Sequence, residues 1–440
     1  MMNLDHRYLL FRDQTYGLFT TFPQIEPLRH LIFKELLVKR VGARKIQWSK
    51  YWVRRLLCHS KGKGTLTKAD IIFLIEGKRS REYEKVLPLW AACIEAGQKC
   101  QIVALNTTLH LPSGAYYVRR ISPTSVPEWA NASWEMLVSM FPSLWADDLK
   151  RAYYISAAYA NSLLSLAFDI IDRVKPKLIL LGSNSQSGTI AFSTAARLRG
   201  VKTAQLQHGV PQAFYTPVLE DVMLTWGESS NLILQRLGVP ATKLRAVGSP
   251  RHDKFQPVPN ARALFRQSLN LSNRPTLVFF SNGNDLVRNG NAPIESAIWL
   301  NEAARTIPQV NVVVKLHPNE DGALYRRMPH LRVIKNEVDL ITILSAADIV
   351  ASVCSTAMYE ALLFGKPVWQ FYADGWPPLE DNWKQGLAVR VASSQELLFK
   401  IYQWMDSPDS GERWSRLSQR VFVNHGHAAY AAAECLASLL

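Results

Sequence analysis

Two histidines stand directly after apolar runs, His208 in LQHGVP and His317 in VVVKLHP. A neutral imidazole titrates close to neutrality and can take a proton from a hydroxyl. Gly209 follows His208, and a glycine lets a ligand approach closely, so His208 is the candidate catalytic base. A histidine that only orders its loop fits the same residues, and Glu228 in WGE is the rival for the role. His317 with Pro318 forms a rigid strand end whose ring can contact a ribose, a phosphate or a base edge. Lys315, two residues earlier, shares the strand face of His317; a solvated edge charge is its other reading. Ser355 and Thr356 in CSTAMYEALLFGKPV open a helix, where hydroxyl and N–H groups bind phosphate or simply cap the helix. Glu360 lies four residues after Thr356 on the same face, suited to ribose hydroxyls or to solvent. Arg251 in GSPRHD follows a strand, as a ligand contact or as the ion-pair partner of Asp253.

These residues need strand ends to hold them, and the chain supplies the rhythm. Apolar runs at Ile71–Ile75, Cys100–Leu105, Leu178–Leu181, Lys202–Leu206 and Val222–Thr225 read as buried parallel strands separated by helices. Pro257 and Pro259 mark a break. The pattern restarts at Thr276–Phe280, Val312–Val314, Ile349–Val353 and Val368–Phe371. Gly365 and Pro367 close the helix that Ser355 opens. The expected class is α/β, with two Rossmann-like halves facing across a cleft. The expected divisions are a basic extension over 1–68, a first half over 69–255, a linker over 256–275, a second half over 276–420 and a C-terminal helix over 421–440. The stretch from His110 to Ser143, with four prolines, reads as loop with short helices. In such sheets ligands sit outside the carboxyl ends of the strands. A nucleotide mono- or diphosphate donor is therefore expected at the second half, leaving the first half to the acceptor.

The net charge of +15 is concentrated. Between Leu28 and Lys68 stand twelve Lys/Arg and one acid, Glu35. Within that segment Trp48, Tyr51, Trp52 and Leu56 share a helical face, with Lys50, Arg54 and Arg55 mostly elsewhere. That pattern suits an anionic inner-membrane surface; a helix docked on the fold by its Trp face explains it equally. No nucleic-acid motif accompanies the charge. Five scattered cysteines without a CxxC pair argue for a reducing, cytoplasmic setting and against a structural metal. No signal peptide or membrane-spanning run is expected. Gly-x-Gly-x-x-Gly, Walker, HExxH and hydrolase-elbow patterns are absent, which removes the sequence support for dehydrogenase, P-loop, zinc-protease and serine-hydrolase chemistry.

Taken together, LQHGVP, WGE, GSPRHD, KLHPNED and CSTAMYEALLFGKPV resemble the GT-B glycosyltransferase superfamily, over roughly residues 170–372. Within it the likeness is to bacterial capsule and surface-polysaccharide transferases with CMP- or CDP-activated donors. The His-Pro and Ser-Thr pairs look like the CMP-binding motifs of sialyl- and Kdo transferases. QHGVP is similar to the WHG-T-P motif of polyol-phosphate transferases, with Gln207 in place of the tryptophan. The resemblance implies a glycosyltransferase that moves a sugar from a CMP- or CDP-type donor to a glycan or lipid-linked acceptor, without metal or cofactor. His317 would then contact the nucleotide, and Ser355 with Thr356 its phosphate. A CDP-polyol phosphotransferase, a non-hydrolysing UDP-sugar epimerase and a non-catalytic binding module of the same architecture are the alternatives.

Overall fold

The structure is a computed structural model describing residues 4–39, 62–76, 80–105, 110–118, 121, 125–183, 186–282, 290–376, 381–409 and 411–440. The Trp48/Trp52 segment with Lys50, Arg54 and Arg55 lies outside them. The chain divides into an N-terminal unit, Asp5–Asp253 with Asn424–Leu440, and a second unit over Lys254–Val423.

The N-terminal unit is built on β1 (Gly62–Lys63), β2 (Ile71–Glu76), β3 (Cys100–Leu105), β4 (Tyr116–Val118), β5 (Leu178–Leu181), β6 (Lys202–Leu206), β7 (Val222–Thr225) and β8 (Leu244–Ala246). Their order is β1-β4-β3-β2-β5-β6-β7-β8. Every pair is parallel except β1 with β4. The continuous apolar run of β2 follows from burial on both faces. Ile71, Phe73 and Ile75 enter one core with the helices Ser80–Glu95 and Ala428–Ala437. Ile72 and Leu74 enter the other with the helices Asp147–Val174 and Ser187–Leu198. Each such side chain stabilises by roughly 1.5–3 kcal/mol. Asp147–Val174 is long and apolar enough to cross a membrane, yet Leu163, Leu164, Ala167, Ile170 and Ile171 are core residues of this sheet.

The second unit carries β9 (Thr276–Phe280), β10 (Asn311–Lys315), β11 (Arg332–Ile334), β12 (Ile349–Ser352), β13 (Val368–Phe371) and β14 (Val389–Val391), all parallel. The order β11-β10-β9-β12-β13-β14 runs outward in both directions from the first strand. That is the doubly wound arrangement, with its topological switch point between β9 and β12. In the N-terminal unit the same logic puts the switch point between β2 and β5.

Several expectations need correction. Residues 5–38, placed in the basic extension, pack into the N-terminal unit: helices over this span bury Tyr8, Phe11, Phe19, Ile25, Ile32 and Phe33. The stretch read as loop with short helices contains β4 and a twelve-residue helix, Trp129–Met140. The linker span holds the helix Ala261–Leu269. The C-terminal helix belongs to the N-terminal unit because Asp253 accepts from the backbone N–H of Gly426, Ala428 and Ala429 at 2.9–3.0 Å. A carboxylate on unpaired N–H groups at a helix start is a favourable electrostatic cap.

Candidate functional site

In the second unit, β9, β10 and β12 end side by side, and each delivers polar groups to the rim. β9 runs into Ser281 and Asn282. The Asn282 amide bridges the switch point: its Oδ1 accepts from Ser352 Oγ at 2.7 Å and from Cys354 N–H at 3.3 Å, while its Nδ2 donates to the Cys354 carbonyl. β10 runs through Leu316 into His317. The His317 N–H is held by Ser281 Oγ at 2.8 Å and by Glu320 Oε2 at 3.0 Å, and the Ser281 hydroxyl also donates to Glu320. The imidazole Nδ1 accepts from the Asn319 N–H at 3.2 Å. That bond assigns the neutral ring's hydrogen to Nε2, making it a donor. Pro318 is exposed beside it.

β12 leads to Ser355, whose Oγ accepts from the Ala357 N–H at 3.3 Å. Ser355 is therefore the cap of the helix Thr356–Leu362. Capping uses a lone pair and leaves the hydroxyl hydrogen to donate, so capping and ligand contact are compatible. Thr356 is half-buried next to it. Glu360 is buried, not solvated. Lys315 is half-buried rather than a solvated edge charge. Its ammonium donates to the carbonyls of Leu316, at 3.2 Å, and Lys335, tying β10 to the end of β11. His317, Pro318, Ser355 and Thr356 thus share one rim, and Lys315 also ties two neighbouring strands together.

In the N-terminal unit, β6 ends at Gln207 and His208. The loop is ordered by Gln207 rather than by the histidine. Gln207 Nε2 donates to Gly209 O and Ser230 Oγ, both at 2.9 Å, and its Oε1 accepts from Trp226 N–H at 2.8 Å. His208 instead stacks on Tyr215 with ring centroids 4.8 Å apart. Its Nδ1 has no hydrogen-bond partner among the described residues. Burial, reinforced by the Lys85 ammonium, pulls its pKa down to about 3. Both causes favour the neutral ring over the charged one. Arg251 is buried and pairs with Glu84 at 3.3 Å, not with Asp253. Glu228 lies exposed in the first turn of its helix.

The lowered value of His208 has a consequence for stability. The unfolded chain binds a proton near pH 6.5 that the native state refuses until about pH 3. Stability linked to this group is complete above that window and falls as the pH drops through it. Denaturant unfolding of wild type and His208→Gln at pH 7 and 4.5 should show the variant gaining on the wild type at the lower pH. A pH-independent difference would contradict a histidine whose charged form is disfavoured by its surroundings.

Sequence reasoning missed Glu76. It closes β2, is buried, and receives the N–H groups of Gly188, at 3.3 Å, and Thr189, at 2.7 Å, at the start of the helix Ser187–Leu198. Its signal was the lone acid ending IIFLIE. Ser281 and Asn282, in SNGND after an apolar run, offered the same kind of signal; Glu320 offered only its place three residues past His317.

Solved structures supply the comparison. UDP-GlcNAc 2-epimerase from Neisseria meningitidis, bound to UDP-GlcNAc, superposes with a TM-score of 0.56 at 15% identity, covering 84% of this chain and 100% of that one. The Methanocaldococcus jannaschii UDP-GlcNAc 2-epimerase, in complex with UDP-GlcNAc and UDP, gives 0.54 at 13% identity over 84% and 99%. The glycotransferase of kitacinnamycin gives 0.53 at 14% over 85% and 100%. The fold is GT-B. No family model matches the chain, and no curated protein matches it by sequence. In this GT-B chain, both switch points place a polar strand end against the start of a helix, but with opposite character. Glu76 already occupies the helix start in the N-terminal unit. In the second unit the helix start carries the Ser355 hydroxyl.

Proposed function

We propose that this protein is a nucleotide-sugar enzyme that holds its nucleotide at the rim formed by Asn282, His317, Ser355 and Thr356. The observation that carries this reading is the contrast between the two switch points. A phosphate arriving at the Ser187–Leu198 helix would meet the Glu76 carboxylate, a like charge. At the second unit's switch point it meets a hydroxyl, an amide and an imidazole N–H. Ion–dipole contacts of this kind hold phosphate without a metal.

For the reaction, the similar structures favour epimerisation of a UDP-linked sugar over transfer from a CMP-linked one, since two of those compared are UDP-GlcNAc 2-epimerases holding UDP-GlcNAc. Moving a proton at a sugar carbon needs acid–base groups, and Glu76 is a buried carboxylate at a carboxyl strand edge. Glycosyl transfer to a glycan or lipid-linked acceptor is the second reading. The kitacinnamycin glycotransferase likeness favours it.

Proton NMR of UDP-GlcNAc incubated with the enzyme separates the two. Epimerisation predicts a second UDP-linked sugar without any added acceptor. Consumption of a CMP- or UDP-sugar only when a glycan acceptor is present would replace epimerisation by transfer. A panel of nucleotide sugars left untouched with and without acceptors would sink the enzyme reading.

A further inference from the structure

The opposite edge of the N-terminal sheet holds a cavity of about 810 Å³. Its walls come from the loops that enter β7 and β8, from the end of the helix that precedes β6, and from the N-terminal helices. In a parallel sheet the loops entering strands lie at the amino edge, so this cavity is remote from the carboxyl edge that carries Glu76 and His208. Its volume is in the range of small-molecule sites.

Four cations line it, Arg12, Arg29, Arg197 and Lys243, against two carboxylates, Asp13 and Glu26. The carboxylates are already paired, Asp13 with Arg12 Nε at 2.8 Å and Glu26 with Arg29 Nε and Nη2 at 2.9 Å each. Arg12 and Lys243 keep a donor in hand, and Arg29 adds a buried positive charge beneath them. Arg29 is buried, with its guanidinium 3.6 Å above the Phe19 ring, and its Nη1 has no hydrogen-bond partner among the described residues. Arg12 uses Nη1 on Thr216 Oγ1, at 3.0 Å, and Leu237 O, at 2.7 Å; neither bond uses Nη2. Lys243 donates to Val218 O and Glu220 O at 2.8 and 2.7 Å, two of its three hydrogens. With both lining carboxylates already paired, the wall carries an excess of positive charge. At the cavity, Tyr16 and Leu198 expose 73% and 47% of their surface, an apolar rim around a cationic floor.

We propose that this cavity is a second ligand site, for a phosphate ester or diphosphate that carries an apolar substituent. Several acceptor oxygens on one anion match guanidinium and ammonium donors converging from different elements. A free phosphorylated metabolite and a lipid phosphate headgroup share this chemistry. The site stands independently of the nucleotide site in the second unit.

The test titrates pyrophosphate by calorimetry and, separately, measures co-sedimentation with phosphatidylglycerol vesicles. Wild type, Arg12→Gln, Lys243→Gln and His317→Ala are compared after each is shown to melt cooperatively. At least one probe should show a binding component weakened at least ~10-fold by Arg12→Gln or Lys243→Gln, a loss of 1.4 kcal/mol or more; that component persists in His317→Ala, which removes only pyrophosphate bound at the second unit's rim. Pyrophosphate responding in this way assigns the site to a free phosphate ester. Vesicles alone responding assigns it to a lipid headgroup. Binding of neither probe, binding indifferent to both cavity substitutions, or loss of all binding with His317→Ala alone would overturn the proposal.

Discussion

Replacing Gly188 by alanine is expected to destabilise the N-terminal unit by ~2–4 kcal/mol, against a gain of only ~1 kcal/mol from helix propensity. A Cβ at this position would lie 2.5–2.8 Å from the Glu76 carboxyl atoms. That carboxylate cannot swing aside cheaply, because the N–H groups of Gly188 and Thr189 hold it in place. Either the helix start moves off β2 or two charge-assisted hydrogen bonds break. Urea unfolding in a double-mutant cycle isolates the cause. In a Glu76→Ala background the same glycine-to-alanine change should be neutral or slightly stabilising. Equal destabilisation in both backgrounds would show that the glycine answers to something other than the carboxylate.

The second large effect is expected at His208. On the glycosyl-transfer reading, His208→Ala should lower turnover by ~10²–10⁴-fold, the range for loss of a positioned acid–base group, while nucleotide affinity stays within about twofold because the proposed nucleotide contacts lie in the other unit. With its pKa near 3, the wild-type ring should give no limb near pH 6.5 in the pH–rate profile. A wild-type limb near neutrality that disappears in the variant would mean that substrate relieves the burial of the ring. Near-normal turnover of His208→Ala at saturating substrate would remove the histidine from the chemistry and turn attention to Glu76.

The legible part of the fold was the part written in long apolar runs. β2, β5, β6, β7, β9, β12 and β13 are buried on both faces, so burial dictates the residue types directly and the runs end close to where the strands end. β4, β11 and β14 are three-residue strands next to or at a sheet edge; too few residues are buried to leave a pattern. The N-terminal helices were illegible for another reason. Their order comes from aromatic contacts with distant residues, as where Tyr8 packs against Phe214 at 4.5 Å and donates to Thr216 O.

At the site, His317, Ser355 and Thr356 were readable because a strand-ending His-Pro and a Ser-Thr before a helix are local signals. Asn282, Glu320 and Glu76 act through partners 72, 39 and 113 residues away. Such pairings are a property of the folded sheet order rather than of spacing. Arg251 shows the same limit: the neighbour in sequence, Asp253, caps a helix, and the pairing goes to Glu84. The lowered pKa of His208 likewise comes from burial in the folded unit and, second, from Lys85, far back in the sequence.

Calorimetric titration of UDP, with CMP alongside, into wild type, His317→Ala and Ser355→Ala decides whether the second unit holds the nucleotide. Saturable binding at one site is expected, with UDP favoured over CMP, and each substitution should weaken it at least ~10-fold, equivalent to 1.4 kcal/mol. Ser355→Ala should also cost ~1 kcal/mol of stability through its cap, so the comparison is made well below the melting transition of each protein. No binding of either nucleotide, or equal affinity in all three proteins, would contradict a nucleotide site at the Asn282, His317 and Ser355 rim.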